Sequence, residues 1–375
     1  MKKVLVPKVR FKGFSEEWKE DTIGNIANIT NGKLDANAMV KSGMYNFYTS
    51  GIDVYKIDKY SFEGEGISIA GNGVNMGYMH LVSGKYNAYQ RTYILNNIKI
   101  DRHFLFYNLW KNFWEFCQKK TREGSIPYLL YNDISDFKIF KSHSNEQQKI
   151  GKLLDQISNL ITLEEIKINK LKQLKETLLQ KMFPEGNSKT PRIRFRGFDE
   201  EWSEEKLDDI FKVITGGEPP KNYKNSKHPV GKYKYPIYSN GQEANAIWGF
   251  SDNYSINTEA ITISSIGTIG FPVVRKMFFT PIIRLKTLLP YNKNMNINFL
   301  NLSVSQINFS FNQAGISSMN SNQLKDNIIL ISRNFSEQQK IGDFFCKIDT
   351  LINLYQSKLK KLKQIKEALL QKMFV

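Results

Sequence analysis

Self-similarity constrains this chain more than any other feature, because a unit written twice must fold twice. Pro7-Lys8-Val9-Arg10-Phe11-Lys12-Gly13-Phe14-Ser15-Glu16-Glu17-Trp18 returns 184 residues later as Pro191-Arg192-Ile193-Arg194-Phe195-Arg196-Gly197-Phe198-Asp199-Glu200-Glu201-Trp202. A longer match joins residues 146–183 to 337–374 without a gap, at an offset of 191, with 23 of 38 pairs identical. Between these landmarks the halves diverge. Residues 67–73 still align on 261–267, after which Gly77 falls on Gly270 and Arg91 on Arg284. The pattern is one framework used twice with two different surfaces.

The second shared block reads as a long helix. Ile150, Leu153, Leu154, Ile157, Leu160, Ile161, Ile168, Leu171, Leu174, Leu178 and Met182 recur mostly three and four residues apart. Their counterparts are Ile341, Phe344, Phe345, Ile348, Leu351, Ile352, Leu359, Leu362, Ile365, Leu369 and Met373. Asn145 and Ser336 stand at the N-cap position, and Pro184 ends the first helix. At 1.5 Å per residue such a helix is roughly 57 Å long. Its own domain cannot cover it, so its stripe needs a partner helix, and the other copy is nearest. The expected fold is α+β. Two mixed α/β domains are joined by two long helices forming an antiparallel coiled coil, with a pseudo-twofold internal repeat. The expected boundaries are a first domain at 1–144, a helix at 145–183, a linker at 184–191, a second domain at 192–335 and a second helix at 336–375. Within the domains, residues 67–69, 93–95 and 261–263 read as strands, 103–119 as a helix, and the Gly-, Pro- and Lys-rich segment 215–238 as a loop.

Composition bears on the partner. Lys and Arg total 53 against 36 acidic residues, a net charge of +17. Solubility needs far less, so a polyanion is the expected partner. The helices hold seven lysines against five acids (145–183) and eight against four (336–375), which leaves +11 on the rest of the chain. There, basic residues alternate with aromatics and amides. Phosphates need Lys and Arg, and base edges need Arg, Asn, Gln, Ser and Thr on loops. The residues selected on this basis are Ser50, Asn72, Gln90, Arg91, Lys120, Arg122 and Ser125 in the first half. In the second they are Lys221, Lys224, Asn240, Arg275, Arg284 and Ser317. Lys8, Arg10, Arg192 and Arg194 lie inside the repeated motif and cannot tell one target from another. A structural role or a backbone contact suits them, and Trp18 and Trp202 read as core anchors.

Signals for catalysis are missing. No G-x-x-x-x-G-K-[ST] loop occurs, and Gly71-Asn72-Gly73 alone is no nucleotide fingerprint. Glu218-Pro219-Pro220-Lys221 departs at both ends from the Asn/Asp-Pro-Pro-aromatic motif of an amino-methyltransferase. Four scattered histidines and two cysteines, Cys117 and Cys346, offer neither metal-ligand spacing nor a disulfide framework, which suits a reducing cytoplasm. No run reaches the apolar length of a membrane span, and the N-terminus is too short in apolar residues for a signal peptide.

The order of domain, Glu-Gln-Gln-Lys-Ile-Gly helix, linker, Pro-x-x-Arg-Phe-x-Gly-Phe-x-x-x-Trp motif, second domain and second helix resembles the specificity subunit of type I restriction–modification systems. Residues 146–151 and 337–342, the two Pro-to-Trp motifs and the Leu-Leu-Gln-Lys-Met-Phe endings at 178–183 and 369–374 carry the likeness. The resemblance implies two target recognition domains, each reading half of a bipartite asymmetric site in double-stranded DNA. It implies spacer helices that dock two methyltransferase subunits, with two restriction subunits joining the full complex in the bacterial cytoplasm. Ile150, Leu154, Ile157, Ile161, Leu171, Leu178, Ile341, Phe345, Ile348, Ile352, Leu362 and Leu369 are the helix residues expected to serve there. S-adenosylmethionine, ATP and magnesium would bind the partner subunits; this chain would carry no cofactor, no metal and no catalytic residue. From the residues alone, a coiled-coil adaptor or a stand-alone DNA-binding regulator remains open.

Overall fold

The computed structural model describes residues 5–119, 126–241, 246–267, 269–292, 294–309 and 319–375. The chain forms two compact units, residues 1–166 with 356–375, and residues 167–355. In the first unit, β1 (Lys19–Thr22), α1 (Ile23–Ile26), β2 (Asn28–Asn31), β3 (Tyr45–Tyr48), β4 (Val54–Ile57), β5 (Phe62–Glu63), β6 (Gly66–Ala70), β7 (Met79–Val82), β8 (Lys85–Ala88) and β9 (Thr92–Asn96) precede α2 (Arg102–Lys119). There follow α3 (Tyr131–Ser135), β10 (Lys138–Lys141) and the long α4 (Ser144–Met182). The strands form sheets in the orders β2-β9-β6-β7, β4-β3-β8-β5 and β1-β10. All pairs are antiparallel except β3 with β8. Apolar side chains alternate inward from the first sheet against α2, so Ile67, Ile69, Leu95, Leu105, Leu109 and Phe113 share one buried core.

The second unit repeats this plan. It contains β11 (Ser203–Lys206), α5 (Leu207–Ile210), β12 (Phe211–Thr215), β13 (Tyr223–Lys224), β14 (Tyr235–Tyr238), β15 (Ile247–Ser251), β16 (Ala260–Ile263), β17 (Pro272–Arg275), β18 (Thr280–Pro281) and β19 (Lys286–Pro290). After them come α6 (Ile297–Ser305), α7 (Ser321–Lys325), β20 (Ile328–Ile331) and α8 (Phe335–Met373). Its sheets run β12-β19-β16-β17, β13-β15-β14-β18 and β11-β20. The mixed α+β class and the repeat are therefore as expected, as are the strands at 67–69, 93–95 and 261–263 and the helix after residue 102. One expectation fails. Segment 215–238 is not all loop, because β13 and β14 pair with β15, and β14 also pairs with β18. The β18 partner lies well downstream, where a local reading cannot see it.

Both shared motifs meet inside each unit. Arg10 makes a two-pronged ion pair with Glu146, Nε to Oε1 at 2.7 Å and Nη2 to Oε2 at 2.9 Å. Arg194 does the same with Glu337 at 2.6 and 2.9 Å. Both carboxylates are 0% exposed. The next residue ties the helix to its domain. Gln147 accepts from the Asp101 amide and donates to the Ser142 carbonyl; Gln338 accepts from Asn296 and donates to Ser332. Lys149 lies 5.1 Å from the Phe14 ring centre and Lys340 4.9 Å from that of Phe198. Glycine closes the motif because nothing larger fits. A Cβ on Gly151 would stand 2.6 Å from Asp101 Oδ1, and one on Gly342 2.3 Å from Asn296 Oδ1. Those two oxygens cap α2 and α6, accepting from the Phe104 and Phe299 amides.

The Pro-to-Trp motif also holds the far end of a long helix. The Val9 amide donates to Lys372 in the first unit, and the Ile193 amide to Lys181 in the second, both at 2.9 Å. Trp18 packs edge-on against Phe104 and Phe374, and Trp202 against Phe299 and Phe183. Gly13 and Gly197, at φ of 92° and 89°, make the turn between the Arg and Trp contacts, a conformation that favours glycine. Residues 144–166 of α4 thus share the first unit with the end of α8, and residues 167–182 share the second with the start of α8. In each unit the two helices run antiparallel. Glu164 pairs with Lys358 while Leu154 clusters with Leu370, and Lys175 pairs with Asp349 while Met182 clusters with Ile341.

Two details of the helices differ from expectation. Asn145 and Ser336 are inside the helices, and the first-turn amides turn back to the carbonyls of His143 and Asn334. Asn334 Oδ1 also accepts from Ser336 and Glu337. The helices start two residues early because His143 and Asn334, not Asn145 and Ser336, hold the cap position. The apolar stripe is also divided. Ile150, Leu154, Ile157, Ile341, Phe345, Ile348 and Ile352 are buried within their own unit, whereas Leu160, Leu174, Leu351 and Ile365 are exposed. Ile161, Leu171, Leu178, Leu362 and Leu369 lie between these extremes.

Removing one partner of a buried ion pair strands the other charge, at a cost of about 3–5 kcal/mol. Glu146→Ala and Glu337→Ala should each destabilise by that order in thermal or denaturant unfolding. Arg10→Met with Glu146→Leu should recover most of the loss. A loss below about 1 kcal/mol for the single variants would mean that the pair is not what joins helix to domain.

Candidate nucleic-acid interface

The matched residues Arg91 and Arg284 mark the same place in the two units. Each sits in the turn that leads into the second strand of the first sheet. In the first unit the Thr92 amide closes the turn on Tyr89 at 2.8 Å, and Gln90 binds the Leu34 carbonyl at 2.8 Å. In the second, Leu285 closes on Ile282 at 3.1 Å, and Ile283 binds Gly217 at 2.8 Å. The frame is shared but the turns are not. Ile283 and Arg284 have φ of 53° and 60°, a left-handed conformation that costs non-glycine residues about 1 kcal/mol or more each.

Selected residues from separate segments converge at this turn. The Gly71 amide donates to the Arg91 carbonyl, and Ser50 Oγ donates to Asn72 Oδ1. Gln90 and Arg91 are exposed, and with Asn31, Gly71, Tyr93 and Leu129 they line a half-open cavity of about 220 Å³. The Tyr93 hydroxyl donates to the Leu129 carbonyl, and burial raises its pKa. In the second unit Ser265 stands where Gly71 does. Asn240 accepts from the Ser265 amide at 2.8 Å and donates to the Ile283 carbonyl, while Ser265 Oγ donates to Arg284. Ser50, Asn72, Gln90 and Arg91 are therefore one cluster, and Asn240 and Arg284 are its counterpart.

Other selected residues fall elsewhere. Lys221 and Lys224 are exposed on the segment around β13, with the Lys224 ammonium 5.8 Å from the Tyr233 ring centre. Arg275 does not face solvent. It is 4% exposed, its guanidinium lies 3.9 Å from the Tyr238 ring centre, and its Nε donates to Thr262 Oγ1. Burial lowers its pKa. Its flat cation is part of the sheet's packing, so its selection as a DNA contact is corrected. Lys120, Arg122, Ser125 and Ser317 lie outside the described residues.

Sequence reasoning missed Lys286, which occupies the position of Tyr93. Lys286 is in register with Thr215 and Ile263, as Tyr93 is with Asn31 and Ile69. Its spacing of two residues from Arg284, matching Tyr93 and Arg91, was the available signal. Among the described residues, no three His, Cys, Asp or Glu side chains gather as a metal site, and no helix is long and apolar enough to cross a membrane.

A family model described as the type I restriction modification DNA specificity domain matches residues 15–173 and again 199–364. The specificity subunit of the Escherichia coli type I restriction enzyme EcoDI is 31% identical over 158 residues, 42% of this chain and 35% of that one. The chain thus spans about a third of that relative's length. A Mycoplasma pneumoniae protein named as a type I specificity subunit is 28% identical over 329 residues, covering 85% of this chain and 86% of its own. The crystal structure of a type I restriction–modification S subunit from M. genitalium has the same fold, with a TM-score of 0.74 over 99% of both chains at 19% identity.

Exposed cationic side chains contribute little to stability, whereas a buried one that packs on a ring contributes much. Arg91→Ala and Lys221→Ala should therefore leave the unfolding free energy within about 0.5 kcal/mol, and Arg275→Ala should lower it by about 2 kcal/mol or more. Equal losses at all three sites in a thermal melt would contradict this assignment of surface and core.

Proposed function

Because the chain belongs to the type I restriction–modification DNA specificity family, whose model covers both of its halves, we propose that its two units read the two halves of one bipartite DNA site. One observation carries this reading. The same backbone frame holds Ser50, Asn72, Gln90 and Arg91 in one unit and Asn240 and Arg284 in the other, so equivalent surfaces present different side chains. Arginine at the turn can take phosphate or guanine, and the amides beside it suit adenine edges. The charge of +17 supplies the sequence-independent attraction.

The helices would set the gap between half-sites and dock the partner subunits. Both are 39 residues long, and each contributes to both units. Exposed apolar residues repeat on them: Leu160 and Leu163 on α4 correspond to Leu351 and Leu354 on α8. Two equivalent patches suit two copies of one partner, the methyltransferase, and restriction subunits would complete the assembly. In this division of labour, S-adenosylmethionine, ATP and magnesium belong to those subunits, and this chain chooses the site without performing chemistry.

Two experiments test the reading, both scored on the methylation motif of cells expressing the complex. Exchanging residues 20–140 for those of another specificity subunit should change one half-site only; a change in both would refute independent reading. Inserting four residues at Ile168 and four at Leu359, the equivalent places in the paired helices, lengthens each by roughly 6 Å. The unspecified gap should widen by one or two base pairs, at roughly 3.4 Å per pair. An unchanged gap would refute the ruler.

A further inference from the structure

The second unit buries a cation that has no counter-charge beside it among the described residues. Lys286 opens β19 and is 5% exposed. Its ammonium donates to Thr215 Oγ1 at 3.0 Å and to Ser321 Oγ at 2.9 Å, and these two oxygens lie 3.1 Å apart. Neither hydroxyl carries charge, and among the described residues no carboxylate pairs with this ammonium. Arg284, exposed on the turn two residues earlier, adds a second positive charge. Burial first and Arg284 second lower the Lys286 pKa. A buried, unpaired ammonium is costly, and the frame does not require one, since the first unit has neutral Tyr93 in the same register.

We propose that Lys286, Arg284, Thr215 and Ser321 form a phosphate-binding site that takes one backbone phosphate of the DNA bound by the second unit. This rests on the reading of the chain as a DNA-specificity subunit. The donors fit a phosphate oxygen. Two of the ammonium's three protons are engaged, so one remains. The two hydroxyls can satisfy each other with a single proton, which leaves the other proton to point outward, and Thr215 is exposed. Arg284 contributes a planar fork from the surface. Such a contact positions the duplex without reading it, so the site orients the second unit over its half-site, whose bases are read by the neighbouring side chains.

The test uses the full chain assembled with its methyltransferase subunits and a 40-base-pair duplex carrying the motif that this complex methylates. Affinity is measured from about 50 to 200 mM salt. Lys286→Met and Arg284→Ala should each weaken binding about tenfold and lower the slope of log K against log salt by about one. The double variant should lose no more slope than either single, because both side chains meet one phosphate. Lys286→Arg should retain binding, and the methylated motif should stay the same in every variant. Lys286→Met should melt no lower than the native complex, since it removes a buried charge. Native affinity and slope in Lys286→Met would overturn the proposal, as would an altered half-site motif or weakened binding that tracks a lowered melting temperature. Inorganic phosphate that raises the melting temperature of the native complex but not of Lys286→Met, with unchanged DNA slopes, would make it a free-anion site and overturn the DNA assignment. If the native complex fails to bind the duplex, the functional reading itself fails, independently of Lys286.

Discussion

A carboxylate buried on the first turn of each long helix must be met by a cation, and the rest of the architecture depends on how that demand is satisfied. Glu146 and Glu337 are wholly covered, and each receives a two-pronged guanidinium from the Pro-to-Trp motif. Two charges removed from water repay their desolvation only when geometry is good and the remaining lone pairs are occupied. The parallel N–H contacts supply that geometry. An ion pair of this kind is a stringent locator: shifting the helix by one residue would strand a charge on each side.

The same motif that grips one helix start also grips the other helix's end. Val9 holds the end of α8 and Ile193 the end of α4, with Trp18 and Trp202 packed on Phe374 and Phe183. Each unit is thus completed by a segment from the other copy's helix. This explains why these blocks still match between the halves while most of the sequence between them varies. A position that must satisfy a buried charge, a capped helix and a tryptophan pocket has little freedom. A turn whose distant partners are held mainly through its backbone, with its side chains exposed, has much more, and that is where Gln90-Arg91 has become Ile283-Arg284.

What was legible in the sequence follows the range of the forces involved. The helices announced themselves through local periodicity, and the central strands through short apolar runs. The repeat exposed the architecture because two copies of one solution are easier to read than one. Non-local features were hidden. The start of α4 lies two residues ahead of the expected cap because the first-turn amides close on the carbonyl of His143, a residue without the usual capping side chain. Arg275 looked like a surface cation because nothing beside it in sequence reveals Tyr238 beneath it. Lys286 passed unnoticed for the same reason, since its burial is produced by Thr215 and Ser321, far away on either side.

On the proposed reading, this chain, with two differing surfaces on one repeated frame, selects a single two-part DNA target. Single-molecule sequencing of genomic DNA from cells with and without the gene tests it most directly. Deletion should remove one methyladenine motif made of two unlike half-sites separated by unspecified base pairs, and restoring the gene should return it. A methylation pattern unchanged by deletion, or loss of a motif with a single continuous or palindromic target, would contradict it.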